Sequence, residues 1–249
     1  MRLQGKRAIV TGAAGALGQV ISTALADEGA AVAGLDLDGS GLERTRQLVA
    51  ERGQTTRVVV VDLTDFDAVG QSVEVVRECL GGVDILVNCA GGGAVSYFYE
   101  MSAETWKTQI DRNLTAVFNV TRHVLPGMLD QRHGRIVNIA SVAAIAGGRL
   151  VRGATAYASA KAGVVGLTKA LAIEVAEHGV TVNCVAPGAQ ATPGRDRDTP
   201  ERREQLLAQI PTRLLGRPED LAQAVVFLAG PEAVNITGVI LPLDGGHSI

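Results

Sequence analysis

Short apolar runs alternate with longer segments of helical spacing along almost the whole chain of 249 residues. Seven runs predict strands, the first six of them buried: 8–10, 31–33, 58–61, 85–87, 136–137, 180–182 and 239–243. Pro242 indicates that the last strand lies at a sheet edge or ends the pairing. This alternation predicts βαβ units, and therefore an α/β doubly wound parallel sheet with helices on both faces.

The composition is typical of one domain that spans residues 1–249. Apolar residues make up 47% and charged residues 20%, which argues against disorder, and no repeat or linker interrupts the pattern. The net charge of −3 supplies no basic field for nucleic acid or an anionic membrane. No apolar run is long enough to span a bilayer, and no signal peptide precedes the first strand. We therefore expect a cytoplasmic protein without nucleic-acid or membrane partners.

The cysteines and histidines indicate neither disulfides nor a metal. The three cysteines are odd in number and scattered, and the four histidines lack the spacing of metal ligands. We expect no bound metal.

A glycine-rich turn, Thr11-Gly-Ala-Ala-Gly-Ala-Leu-Gly18, follows the first strand and precedes a helical run. Glycines let the backbone N–H groups of such a turn approach a pyrophosphate at the helix N-terminus. The pattern therefore favours a dinucleotide site. The alternative is an ordinary glycine-rich connection between a strand and a helix.

Asp36 ends the second strand, 18 residues beyond Gly18. An acidic residue near this spacing accepts hydrogen bonds from the adenosine ribose, and its charge repels the 2′-phosphate of NADP. No arginine or lysine follows immediately, so we expect NAD as the cofactor. Alternatively, Asp36 caps the next helix, for which Asp38 and Ser40 are also candidates.

Tyr157 and Lys161 lie four residues apart, so a helix would place them on one face. Bringing a tyrosine pKa from about 10 to about 7 requires roughly 4 kcal/mol. A neighbouring ammonium group about 4 Å away supplies energy of that size. The pair therefore predicts that Lys161 makes Tyr157 a proton acceptor, although such pairs also occur by chance.

With these motifs in place, the whole chain resembles the short-chain dehydrogenase/reductase family, including its 3-oxoacyl-carrier-protein reductase-like members. Further matches are Asp62-Leu63, Asn88-Cys89-Ala90-Gly91, and Pro187-Gly188 through Thr192. Ala16 replaces the family's middle glycine and Gln190 its usual branched residue. The resemblance implies a Rossmann-type sheet of about seven strands and assigns the cofactor to Gly12, Gly15, Ala16, Leu17, Gly18, Asp36, Asp62, Leu63, Asn88, Ala90, Gly91, Tyr157, Lys161, Pro187, Gly188, Gln190 and Thr192.

The resemblance also implies four catalytic residues: Asn113, Ser141, Tyr157 and Lys161. Tyr157 is the general acid and base, Ser141 fixes the substrate oxygen, Lys161 holds the nicotinamide ribose, and Asn113 anchors a water. Without the resemblance, Ser141 reads as a cap and Asn113 as a residue at a helix bend. The interval from Ser141 to Tyr157 is 16 residues, about three more than in many relatives.

The implied activity is NAD-dependent hydride transfer between a secondary alcohol, or its ketone, and nicotinamide. One alternative is a 3-oxoacyl-carrier-protein reductase, a type that usually prefers NADPH, and another is a non-catalytic NAD(H)-binding regulator. By the same resemblance we expect a homotetramer.

Substrate specificity is expected from three loops, around residues 91–99, 149–153 and 192–215. Tyr97 in the first suggests an apolar pocket or, equally, a subunit contact. Arginines in the other two suggest an anionic substrate group: Arg149, Arg152, Arg195 and Arg197. The alternative is a solvated lid, because acidic residues are interleaved with these arginines.

Overall fold

The fold is organised around one seven-stranded sheet, in a computed structural model that describes residues 1–147 and 152–249. The strands are β1 (Arg7–Thr11), β2 (Ala31–Asp36), β3 (Thr56–Val60), β4 (Ile85–Asn88), β5 (Gly134–Ile139), β6 (Val180–Pro187) and β7 (Ile240–Leu243). Their order is β3-β2-β1-β4-β5-β6-β7, and every neighbouring pair is parallel. The predicted α/β fold and its seven strands are confirmed.

Helices cover both faces because successive residues of each strand point to opposite sides. The helices are α1 (Ala16–Asp27), α2 (Gly39–Ala50), α3 (Phe66–Leu80), α4 (Ala103–Ile110), α5 (Ala116–Asp130), α6 (Ala143–Ala146), α7 (Thr155–Val175), α8 (Pro200–Ala208) and α9 (Pro218–Ala229). Val10 packs in the core formed with α1, α2 and α9, whereas Ile9 packs in the core formed with α3, α5 and α7.

The two edge strands differ from the buried interior strands. Among residues 1–147 and 152–249, β7 pairs only with β6, so Pro242 lies at a sheet edge as predicted. Within the same residues β3 pairs only with β2, and Val60 is 60% exposed. The prediction of a buried third strand is therefore wrong, because an edge position leaves this strand partly open to solvent.

The chain reverses its direction of travel across the sheet between β1 and β4, which are neighbours. In open parallel sheets, ligands bind outside the carboxyl ends of the strands at this switch point. Within the described ranges, no helix combines the length and apolar character needed to cross a membrane.

Candidate active site

The turn between β1 and α1 depends on glycine at two positions. Gly12 has a φ of +68°, and a Cβ there would lie 2.7 Å from the Cα of Ala90. A Cβ on Gly18 would overlap the carbonyl oxygen of Gly12. α1 begins at Ala16, and its N-cap, Gly15, provides no capping side chain. Its first N–H groups are therefore available to an anionic ligand, and larger residues would fill this space.

A cleft of about 1110 Å³ lies at the switch point beside this turn. Many residues predicted to bind the cofactor line it: Gly12, Gly15, Ala16, Leu17, Gly18, Asp36, Asp62, Leu63, Ala90, Gly91 and Thr192. Asn88, Tyr157, Lys161, Pro187, Gly188 and Gln190 are outside this lining. A cavity of this size at a glycine turn fits a dinucleotide.

Asp36 lies in the cleft and binds the glycine turn. Its Oδ2 accepts a hydrogen bond from the Ala14 N–H at 3.0 Å, and its Oδ1 accepts one from the Asp38 N–H at 3.1 Å. Asp38 is the residue that caps α2, through hydrogen bonds from the N–H groups of Ser40 and Gly41. Because Asp38 is the cap of α2, Asp36 does not serve as that cap, and it lines the cleft.

Two arginines outside the sequence motifs also line the cleft, Arg44 on α2 and Arg112. Arg112 contributes to lowering the pKa of the Asp62 carboxyl, after the N–H and hydroxyl of Thr64. No residue spacing marked Arg44, because its place in the cleft depends on the packing of α2: a Cβ on Gly41 would lie 2.6 Å from the Cβ of Ala14 in the glycine turn.

Asn113 lies in a π-helical turn, Asp111–Thr115, between α4 and α5. Its side chain is fully buried and makes three hydrogen bonds. Oδ1 accepts from the Gly92 N–H at 3.0 Å, while Nδ2 donates to the carbonyl oxygens of Gly92 at 3.1 Å and Gln109 at 2.9 Å. Asn113 therefore holds the loop that follows β4 against the helix.

This loop brings the candidate catalytic residues together. A Cβ on Gly91 would lie 2.5 Å from Asn113 Oδ1 and 3.3 Å from Lys161 Nζ. A Cβ on Gly93 would lie 3.3 Å from the ring of Tyr157. Lys161 Nζ is 5.9 Å from the centroid of the same ring. Ser141 is near enough to the Tyr157 phenol to lower its pKa, and the Ser141 hydroxyl accepts from the Ala143 N–H at 3.1 Å.

The electrostatics of Tyr157 differ from the prediction. Burial raises the pKa of Tyr157 above its ordinary value, and the Ser141 hydroxyl only partly opposes this. Lys161 is itself buried and donates to the carbonyl oxygen of Ile139 at 2.8 Å. Burial lowers the pKa of Lys161 to about 8. The predicted lowering of the Tyr157 pKa by Lys161 is not found in this structure, because burial of the phenol disfavours its charged form.

The floor of the site is a buried polar network at the ends of β4 and β5. Asn88 Nδ2 donates to Thr121 Oγ1 at 3.1 Å and to Asn138 Oδ1 at 2.9 Å, and Asn138 Nδ2 donates to Thr168 Oγ1 at 2.9 Å. The Asn88 side chain therefore points into the core. Burial raises the pKa of the adjacent Cys89 thiol to about 11, so it is neutral at physiological pH.

A family model described as enoyl-(acyl carrier protein) reductase matches residues 12–248. The chain belongs to the short-chain dehydrogenase/reductase family. It is 41% identical over 246 residues to the 3-oxoacyl-[acyl-carrier-protein] reductase FabG of Vibrio cholerae, covering 99% of this chain and 98% of that protein. It is 40% identical to the (2S)-[(R)-hydroxy(phenyl)methyl]succinyl-CoA dehydrogenase subunit BbsD of Thauera aromatica, covering 100% and 99%. The crystal structure of levodione reductase superposes with a TM-score of 0.92 at 30% identity and covers 99% of each chain.

In this short-chain dehydrogenase/reductase, the segment after β6 runs from Pro187 to Thr192. Thr192 reaches the cleft, whereas the Gln190 side chain is buried over Gly216, where a Cβ would overlap its amide nitrogen. Gln190 Oε1 has no hydrogen-bond partner among the described residues. Gln190 thus packs the base of the loop that leads into α8.

Two of the three predicted substrate loops, around residues 91–99 and 149–153, are in direct contact. The Ser96 N–H donates to the Gly153 carbonyl at 2.9 Å, and the rings of Tyr97 and Tyr99 stack with centroids 5.5 Å apart. Arg195 forms an ion pair with Asp198 at 3.0 Å, and Arg202 pairs with the same carboxylate at 3.3 Å. Arg152 and Arg197 make no ion pair within the described part of the chain. Arg149 lies outside the described residues.

Proposed function

We propose that this short-chain oxidoreductase transfers hydride between NAD(H) and a secondary alcohol or its ketone, with Tyr157 as general acid and base. The observation that carries the proposal is the contact of one loop with three of the four candidate catalytic residues. Gly91 lies against Asn113 and Lys161, and Gly93 lies against the Tyr157 ring, at one end of a glycine-lined cleft.

The roles of the side chains follow from their chemistry. Bound nicotinamide supplies or accepts the hydride. Tyr157 gives a proton to the substrate oxygen in reduction and takes it back in oxidation. The Ser141 hydroxyl fixes that oxygen, which is a proximity effect. Lys161 holds the nicotinamide ribose, and Asn113 anchors a water that passes the proton to solvent.

Burial raises the pKa of Tyr157, so the phenol is protonated at neutral pH and can donate its proton to a ketone oxygen in the reductive direction. The names of the relatives support substrates carried as thioesters, and the NADPH-type 3-oxoacyl-carrier-protein reductase is accordingly the second candidate. The Asp36 carboxylate in the cleft favours NAD over NADP, because it repels a 2′-phosphate.

An anionic substrate group remains part of the proposal through Arg152 and Arg197, which belong to the second and third of the predicted substrate loops. Replacing both arginines by alanine should raise KM for an acidic substrate and leave KM for a neutral one nearly unchanged. An unchanged KM for the acidic substrate would contradict this part of the proposal.

We further propose a cytoplasmic homotetramer formed by one domain of residues 1–249. Large apolar side chains are exposed on α4, α5 and α7, where Trp106 is 38%, Phe118 50% and Ile173 82% exposed. Burial of these side chains against other subunits would remove them from water. Light scattering of the purified protein measures the subunit number directly.

The deciding experiment is a spectrophotometric screen of NAD and NADP, oxidised and reduced, against a panel of charged and neutral alcohols and ketones. Turnover with NAD(H) supports the proposal, and clear preference for NADPH with a 3-oxoacyl thioester supports the second candidate. Nucleotide binding without turnover on any compound would instead support a non-catalytic NAD(H)-binding regulator.

A further inference from the structure

A chain of hydrogen bonds crosses the buried floor of the site from β4 to α7. Asn88 Nδ2 donates to Asn138 Oδ1, and Asn138 Nδ2 donates to Thr168 Oγ1, each at 2.9 Å. The Thr168 hydroxyl uses its one proton on the carbonyl oxygen of Val164 at 2.8 Å, so it serves as an acceptor toward Asn138. The three polar side chains are at most 1% exposed. Water therefore cannot easily replace any partner in this chain.

The chain ends beside the contact that holds Lys161. Lys161 Nζ donates to the carbonyl oxygen of Ile139 at 2.8 Å, and Ile139 directly follows Asn138 on β5. Thr168 lies seven residues after Lys161 on α7, close to two helical turns, so both lie on one face of the helix. α7 thus meets two consecutive residues of β5 at two polar points.

Apolar packing alone does not determine where α7 lies along β5. The neighbours of Thr168 on the same helix face are Val164 and Ala172, which are buried and have no polar side-chain atoms. Apolar burial is non-directional, whereas a hydrogen bond weakens steeply when its distance or angle changes. The bond between Asn138 and Thr168 therefore specifies the position of the helix along the strand.

We propose that Asn138 and Thr168 are positioning residues: their hydrogen bond fixes α7 along β5 and so sets the place of the Lys161 ammonium. Loss of the bond would let α7 shift and would lengthen the contact of Lys161 with β5. The same shift would move Tyr157, which α7 carries, relative to Ser141, which follows β5. This inference rests on the proposed function, because it affects a reaction only if these residues have their proposed roles.

Removal of one hydroxyl group tests this placement without a substrate. Thr168→Val keeps the branched shape of the side chain and removes the acceptor for Asn138. With its carbonyl contact lengthened, the charged form of Lys161 is stabilised less, and we expect its pKa to fall by about one unit from about 8. Stability rises with pH between the folded and the higher unfolded pKa of a lysine. In urea unfolding, this rise should therefore begin about one pH unit lower in Thr168→Val than in the wild type.

The other titratable groups that act on Lys161 leave this range clear. They are the thiols of Cys89 and Cys184, and burial raises the pKa of each to about 11. Burial also raises the pKa of Tyr157 above its ordinary value. A difference between variant and wild type near pH 8 therefore reports Lys161.

Two variants serve as controls. Thr121→Val removes the hydroxyl on α5 that accepts from Asn88 at 3.1 Å. It also leaves a buried amide N–H without its acceptor, so it should lose a similar amount of stability, but the pH at which stability rises should stay unchanged. Thr168→Ser keeps the hydroxyl and should restore the wild-type pH dependence. Should Thr168→Val not fold, Thr168→Ala takes its place with the same expected shift, because it leaves room for a water at the amide.

The kinetic consequence follows from the movement of Tyr157 relative to Ser141. With the best substrate from the screen, Thr168→Val should lower kcat by about tenfold, and Thr168→Ser should recover it.

Any of three results would overturn the inference: a wild-type pH dependence of stability in folded Thr168→Val, an equal shift in Thr168→Val and Thr121→Val, or no recovery in Thr168→Ser. The proposed function fails in a different way. If the shift is found but the wild type turns over no compound of the screen, the placement of Lys161 stands and the oxidoreductase activity does not.

Discussion

One added methyl group at Gly91 tests how tightly the site is assembled. Gly91 has a φ of +142°, and a Cβ there would lie 2.5 Å from Asn113 Oδ1 and 3.3 Å from Lys161 Nζ. A side chain in such a backbone conformation costs about 1–3 kcal/mol. Asn113 would have to move and lose one or more of its three hydrogen bonds, at about 1 kcal/mol each. We expect Gly91→Ala to lower the free energy of unfolding by about 3 kcal/mol.

Gly91→Ala should impair catalysis as well as stability. Displacement of Asn113 and Lys161 by about 1 Å is expected to reduce kcat/KM by about 10²-fold. The measurements are urea unfolding and initial rates with the best substrate from the screen. Gly92→Ala is the matched control for stability, because a Cβ at Gly92 meets nothing within 4 Å. The reasoning is refuted if Gly91→Ala unfolds at the same urea concentration as Gly92→Ala and keeps wild-type kcat/KM.

Three further predictions concern stability. Lys161→Met should be more stable relative to wild type at pH 7 than at pH 10. The pKa of Lys161 is about 8 in the folded protein and higher in the unfolded chain, so wild type gains stability as the pH rises above 8. A pH-independent difference between the two proteins in urea unfolding would exclude this. Burial alone would raise the pKa of Asp84, but hydrogen bonds from Arg7 outweigh burial and lower this pKa. Asp84→Asn should therefore be less stable than wild type at pH 7, and the difference in unfolding free energy should shrink as the pH falls below about 4 in the same assay. Asn138→Ala should cost about 2 kcal/mol in thermal or urea unfolding, since it removes the bond to Thr168 inside the core; a change under about 0.5 kcal/mol would contradict this.

The parallel sheet and the cleft were largely accessible from the sequence because they depend on local patterns. Apolar runs of β1, β4 and β6 mark buried strands, and the motifs lie where those strands end. Parallel strands present their carboxyl ends at one edge, so Gly12 and Asp36 had to approach each other. The sequence also indicated three possible caps for α2, Asp36, Asp38 and Ser40, and in the structure Asp38 is the cap.

Other properties depend on burial, which no spacing of residues reveals. The pKa of Tyr157 rises because the loop from Gly91 to Gly93 covers its ring, and that loop is held by Asn113 from a distant helix. Arg44 enters the cleft through the packing of α2 on the glycine turn. Exposure of β3 depends on its place at the sheet edge, which the apolar run itself does not encode.

The central claim is that the Tyr157 hydroxyl carries the proton of a hydride-transfer reaction. Tyr157→Phe removes this oxygen alone and leaves the cleft lining unchanged. We predict that turnover falls by about 10²-fold or more while NADH binding, followed by its fluorescence, stays within about twofold of wild type. Turnover near the wild-type rate in Tyr157→Phe would contradict the account.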